Sequence, residues 1–127
     1  MELVTPEQRE TLLANGAKRG ADHVPLVKLF NPCGAGTWLV TELDTEDASI
    51  AFGLADLGFG TPEIGSFSLT ELEAFQGPFG LGIERDLYFE GKFTLAVYAE
   101  AARNAGRIVE YGPELDAAGR RSAAACG

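Results

Sequence analysis

The sequence predicts an α+β domain in which two or three helices pack on a small antiparallel sheet. Four segments rich in β-branched, aromatic and small apolar residues follow one another between residues 24 and 68, separated by short turns. Capping-box patterns open helices near residues 5 and 68, and an alanine-rich amphipathic run follows residue 94. Consecutive strands joined by short turns pair antiparallel, so these observations favour a meander covered by helices.

The first helix is predicted to begin after Thr5, because Pro6 fits the first helical position and Gln8 completes a capping box. It is expected to end at residues 15–16 (Asn-Gly). Turn-forming residues bound the strands predicted next, which cover residues 24–30, 37–43, 49–57 and 63–68. Strict alternation along the second strand places Glu42 on the face that carries Trp38 and Val40.

The second half of the chain is expected to add a strand between two helices. Residues 68–71 (Ser-Leu-Thr-Glu) form a capping box for a short helix that runs through residue 75. Glycines and prolines break the chain before a last strand over residues 83–89 and a helix over residues 95–105. After residue 112 the only large apolar side chain is Leu115, so we expect one domain over residues 1–111 and a loose tail over 112–127.

The net charge of −9 comes from the middle of the chain, since residues 29–84 contain no lysine or arginine. The same stretch holds nine acidic residues, namely Glu42, Asp44, Glu46, Asp47, Asp56, Glu63, Glu71, Glu73 and Glu84. A field of this sign repels nucleic-acid phosphates and attracts basic partners. We therefore expect no direct binding of nucleic acid, and a protein as the partner.

Several classes of site are excluded by residue type. The chain has one histidine, His23, and two distant cysteines, which supply neither a catalytic triad nor a tetrahedral zinc site. No glycine-rich loop has the spacing of a phosphate-binding motif. No apolar run reaches membrane-spanning length and no signal peptide is visible, so we expect a cytoplasmic protein that does not bind membranes.

Carboxylates and exposed aromatics are the remaining candidates for a site. Glu42 and Asp44 lie on one strand face, about 7 Å apart by strand rise. Asp56 and Glu63 flank the next turn, and four carboxylates converging there would hold a divalent cation such as Mg²⁺ or Ca²⁺. The same acids, with Phe59 exposed between two glycines, would equally form a protein-binding surface, and solvated surface or turn acids are the third interpretation.

Two motifs in the centre of the chain resemble a bacterial family of unknown function. They are residues 37–44 (Thr-Trp-Leu-Val-Thr-Glu-Leu-Asp) and 51–65 (Ala-Phe-Gly-Leu-Ala-Asp-Leu-Gly-Phe-Gly-Thr-Pro-Glu-Ile-Gly). Residues 68–72 and 84–86 fit the same pattern, and the resemblance covers about residues 1–109. It implies a small protein carried by conjugative plasmids and other mobile elements, in some members fused beside antirestriction or DNA-processing domains. It supplies no catalytic residues.

Three hypotheses for function follow. The first is a non-enzymatic accessory protein of a mobile element that binds a protein, such as a DNA-processing or defence enzyme, through an acidic surface that imitates DNA. The second is a metal-dependent hydrolase or nuclease built on the carboxylate cluster, which would need a divalent cation. The third is a structural module of a larger assembly. No cofactor is expected under the first or third hypothesis.

Overall fold

The computed structural model describes residues 2–18 and 20–126, and within them helices cover both faces of one five-stranded antiparallel sheet. The elements in chain order are α1 Pro6–Gly16, β1 Val27–Phe30, β2 Thr37–Leu43, β3 Ile50–Asp56, β4 Glu63–Ser68, α2 Leu69–Ala74, a 3-10 turn Pro78–Gly80, β5 Glu84–Arg85, α3 Leu95–Ala105 and α4 Pro113–Cys126. The predicted α+β fold is confirmed, with four helices among the described residues instead of two or three.

The strand order is β4-β3-β2-β1-β5, and every neighbouring pair is antiparallel. The first four strands form the predicted meander, and β5 returns to pair with β1. β5 has two residues, where a strand over residues 83–89 was predicted. Asp86 accepts a hydrogen bond from the backbone N–H of Tyr88 (2.8 Å). The backbone N–H of Asp86 still donates to the carbonyl oxygen of Lys28 in β1 (2.9 Å), and the turn takes the chain out of the ladder after this bond.

Each face of the sheet has its own apolar core. On one face, Leu12 of α1 and Leu69 of α2 pack with Trp38 and Val40 of β2. On the other, α3 packs on the face that carries Leu39 and Leu54, and α4 packs on α3. Capping explains where α1 begins. The Thr5 hydroxyl accepts a hydrogen bond from the Gln8 backbone N–H, and the Gln8 side chain accepts one from the Thr5 backbone N–H, as predicted.

A β-bulge in β2 changes the face on which Glu42 lies. The pairing of β2 with β3 shifts between Val40 and Glu42, so Thr41 is the extra residue. Glu42 then pairs with Phe52, and both lie on the Leu39 face of the sheet. The predicted position on the Trp38 face is wrong, because a bulge reverses the alternation for every later residue of the strand.

The segment after residue 112, which was expected to be loose, is helix α4 in the structure. Leu115 and Ala118 are buried against α3, and Arg121 forms an ion pair with Glu100 of α3 (3.1 Å). Small residues let α4 approach the segment before α3 closely, since a Cβ placed on Gly119 would lie 2.5 Å from the Phe93 ring. Scarcity of large side chains therefore allows packing here instead of preventing it. Neither α4, at 14 residues, nor any other described helix has the length and apolar character needed to span a bilayer.

Candidate functional site

A cavity of about 670 Å³ opens at the end of the sheet where β2 finishes and β3 starts. Its floor includes Phe52 and Ile64, which lie on the α3 side of the sheet. Asp22, Glu42 and Asp44 place three carboxylates on its walls, and none of the described lining residues is a lysine or arginine. A volume of this size is typical of ligand-binding clefts.

Hydrogen bonds between distant segments hold the walls of the cavity together. The Asn15 side chain at the end of α1 donates to the carbonyl oxygen of Thr41 in the bulge (3.0 Å), and His23 Nε2 lies 3.1 Å from the Asn15 carbonyl oxygen. Asp22 accepts from the backbone N–H of Ala96 (3.0 Å) in the first turn of α3. A carboxylate in this place is stabilised by the partial positive charge of the helix N-terminus. These bonds hold the loop of Asp22 and His23 against α1 and α3.

The β2–β3 connection adds carboxylates beside the cavity mouth. Asp44 Oδ1 accepts from the backbone N–H groups of Glu46 (2.8 Å) and Asp47 (3.2 Å), which shapes the turn. Two hydrogen bonds from Ser49 lower the pKa of Asp47 below its ordinary value. The bond from the Ser49 hydroxyl has the larger effect, and the bond from its backbone N–H has the smaller one. Glu46 and Asp47 are exposed. We call this part of the molecule the acidic end, and it comprises Asp22, Glu42, Asp44, Glu46 and Asp47.

Asp56 lies at the other end of β3 and has a structural role. Its two carboxylate oxygens accept from the backbone N–H groups of Gly58 (2.9 Å) and Ile108 (3.0 Å), and the residue is 8% exposed. Since Glu42 pairs with Phe52, four residues before Asp56, about 13 Å of strand separates the two acids along the sheet. Asp56 thus joins the β3–β4 turn to the segment after α3.

Phe59 and Glu63 also lie away from the cavity. Phe59 is 83% exposed in the β3–β4 turn, between Gly58 and Gly60, which both have positive φ angles. Glu63 is exposed at the start of β4. The expected exposure of Phe59 is confirmed, but the turn is at the opposite end of the sheet from Glu42. These two residues do not belong to the acidic end.

The predicted convergence of four carboxylates on a cation is wrong. Among the side chains that the structure describes, no group of three or more His, Cys, Asp or Glu residues is placed to hold a metal ion. Glu42 and Asp44 line one cavity, while Asp56 and Glu63 lie at the far end of β3 and its partner strand. Antiparallel pairing causes the separation, because successive turns of a meander fall at opposite ends of the sheet.

Sequence reasoning missed the apolar floor and the loop that completes the site. Phe52, Asp22 and His23 all line the cavity, and none of the three was a candidate for the site from the sequence. One signal in the sequence pointed towards the bulge. Gly53 lies inside a strand, and a glycine there often marks a bulge or a close backbone approach. A Cβ on Gly53 would overlap the carbonyl oxygen of Leu39.

Comparison with known proteins identifies a family and no activity. No curated protein and no solved structure matches the chain. A family model described as a protein of unknown function, DUF2958, matches residues 3–109. The matched region contains the whole sheet, α1, α2 and α3, and it excludes α4. The resemblance to a family of unknown function is confirmed, and the chain belongs to the DUF2958 family.

Proposed function

We propose that this chain is a non-enzymatic binding module that holds a basic segment of a partner protein at its acidic end. The observation that carries the proposal is the cavity itself, in which Asp22 and Glu42, from distant parts of the sequence, border the apolar surface of Phe52 and Ile64. A lysine or arginine side chain fits this combination, because its aliphatic stem covers apolar surface while its charged head meets a carboxylate.

Glu42 is the residue that we expect to contact the partner's cation. It is half-buried, and among the described residues its carboxylate has no hydrogen-bond or ion-pair partner. Asp22, by contrast, already accepts the N–H of Ala96 and contributes mainly to the local field. A carboxylate beside low-dielectric apolar surface attracts a cation more strongly than one in open solvent.

The partner that we propose is a DNA-processing or defence enzyme. Proteins that bind nucleic acid present clusters of lysine and arginine, which complement an acidic surface. The acids of residues 29–84 do not form one continuous DNA-like surface, since Asp56 is buried and Glu63 lies at the other end of the sheet. The proposal is therefore a local contact with a basic segment of such an enzyme. The same proposal places the protein in a mobile element.

Affinity capture with charge-matched variants tests this function. The full chain, its double variant Glu42→Gln/Glu46→Gln and the control Glu10→Gln/Glu90→Gln are immobilised and exposed to bacterial lysate at 50 and 300 mM NaCl. Both variants lose two negative charges, and Glu10 and Glu90 are exposed residues outside the acidic end. We expect the wild type and the control to retain the same proteins at low salt, less at high salt, and the Glu42/Glu46 variant to lose them.

Two results contradict the proposal. Capture that is equal for all three proteins shows that the acidic end is not the binding surface. Capture of nothing by the wild type at 50 mM NaCl favours a structural module whose role requires a larger assembly. Calorimetry of the wild-type chain with Mg²⁺, Mn²⁺ and Ca²⁺ runs in parallel, and heat of binding at millimolar ion would revive the metal-dependent alternative.

A further inference from the structure

The strand β4 forms an edge of the sheet beside the cavity. It pairs with β3 on one side, and on its other side it pairs with no strand of the described residues. Its residues are exposed or half-buried, and the Ile64 residue is 44% exposed. Every second residue of such an edge presents backbone N–H and C=O groups outwards, which makes it a template for an added strand.

Edge and cavity meet through one row of residues across the sheet. Ser66 of β4 pairs with Phe52 of β3, and Phe52 pairs with Glu42 of β2. Ser66, Phe52 and Glu42 all line the cavity, as does Ile64, two residues before Ser66 on the same face of β4. A strand added to β4 would therefore extend this row by one position and place alternate side chains over the cavity.

We infer that the partner segment is an extended peptide that adds to β4 and directs one arginine across Phe52 to the carboxylate of Glu42; this inference rests on the proposed function. An added strand lies three interstrand spacings from β2, about 14 Å from backbone to backbone. Only a long cationic side chain bridges that interval and meets the Glu42 side chain.

Arginine fits the path better than lysine does. Phe52 lies between the edge strand and Glu42 in the row across the sheet. A guanidinium group stacks on an aromatic face while its fork donates two hydrogen bonds to a carboxylate. The peptide residue opposite Ile64 lies two positions from the arginine on the same face of the added strand. The exposed Ile64 side chain selects an apolar residue there. The recognised pattern is thus an arginine and an apolar residue separated by one residue.

Backbone addition is tested with synthetic peptides and the full chain. The probe is a blocked eight-residue peptide of threonine and serine that contains one arginine and, two residues away, one leucine. A second peptide replaces arginine by the uncharged analogue citrulline, and a third carries N-methyl groups on alternate backbone nitrogens. Binding is followed by NMR chemical shifts and by amide hydrogen exchange of Glu63–Ser68, for the wild type, Glu42→Gln and the control Glu90→Gln.

The inference predicts a specific set of results. The first peptide slows amide exchange along β4, and both the citrulline and the N-methyl peptides bind at least about tenfold more weakly, as loss of a charge-assisted or ladder hydrogen bond implies. Glu42→Gln weakens the arginine peptide by a similar factor and leaves the citrulline peptide unchanged, while Glu90→Gln changes neither. The loss confined to the charged peptide distinguishes direct contact from a general weakening of the fold.

Other outcomes overturn the inference and separate it from the proposed function. If the peptides bind the acidic end without protecting β4, or if blocked arginine amide alone binds as tightly as the peptide, strand addition is refuted while the acidic end still binds cations. If no peptide binds but lysate capture depends on Glu42 and Glu46, the inference fails alone. Sedimentation that shows a dimer with β4 already protected would assign the edge to a second copy of this chain.

Discussion

Removal of the Asp56 carboxylate is expected to destabilise the fold strongly, although the residue was a candidate for binding. Asp56→Ala takes the acceptors away from the N–H groups of Gly58 and Ile108. A hydrogen bond to a charged group contributes about 1.5–3 kcal/mol. Gly58 is exposed, so water replaces part of its lost bond, whereas Ile108 is half-buried. We therefore expect the free energy of unfolding to fall by about 2–4 kcal/mol.

Urea denaturation measures the loss, with Asp56→Asn and Glu90→Ala as companions. The asparagine keeps the shape of the side chain and one acceptor oxygen, but its NH₂ group must face a backbone N–H donor. We therefore expect the loss of stability in Asp56→Asn to be at least about half of the loss in Asp56→Ala. Glu90 is exposed, and its replacement is expected to change stability by less than about 0.5 kcal/mol. A value for Asp56→Ala within about 0.5 kcal/mol of the wild type would refute the structural role.

Three further predictions concern the bulge, α4 and the β2–β3 connection. Gly53→Ala brings a Cβ within 2.9 Å of the Leu39 carbonyl carbon and is expected to cost about 2 kcal/mol or more in urea denaturation, so unchanged stability would contradict the close approach. Leu115→Ala is expected to cost about 2–4 kcal/mol because the side chain is 1% exposed, whereas a value near zero would show that α4 is not packed. Ser49→Ala raises the pKa of Asp47 towards its ordinary value. Because the pKa of Asp47 is lowered in the folded chain, the stability that Ser49 confers is present above the ordinary pKa. This stability disappears as the pH falls through the lowered pKa. An NMR titration of the Asp47 carboxyl carbon that is identical in wild type and variant would contradict the prediction.

Much of the fold followed from local signals. The capping box at Thr5 and the alternation of residues 37–40 depend on neighbours in the chain, so the positions of α1 and β2 were predictable. The end of β5 was harder, because the turn at Asp86 competes with a segment that has the composition of a strand. α4 was missed for another reason, since its order comes from packing on α3.

The site was less predictable than the fold. Glu42 and Asp44 were candidates because they are two residues apart at the end of one strand, and the structure does place both at one cavity. Asp56 and Glu63 were added on the assumption that neighbouring turns converge, which an antiparallel meander does not allow. Asp22 came from a loop whose position depends on its bond to Ala96, 74 residues away.

The sequence by itself determined the class of this protein: the α+β fold, the boundaries of α1 and β2, the excess of negative charge and the membership of a family of unknown function. These properties depend on residue type and short-range order along the chain. Only the tertiary structure decided which carboxylates share a cavity. A single extra residue at Thr41 turns Glu42 to the other face of the sheet, and strand register, which sets such positions, depends on contacts between distant segments.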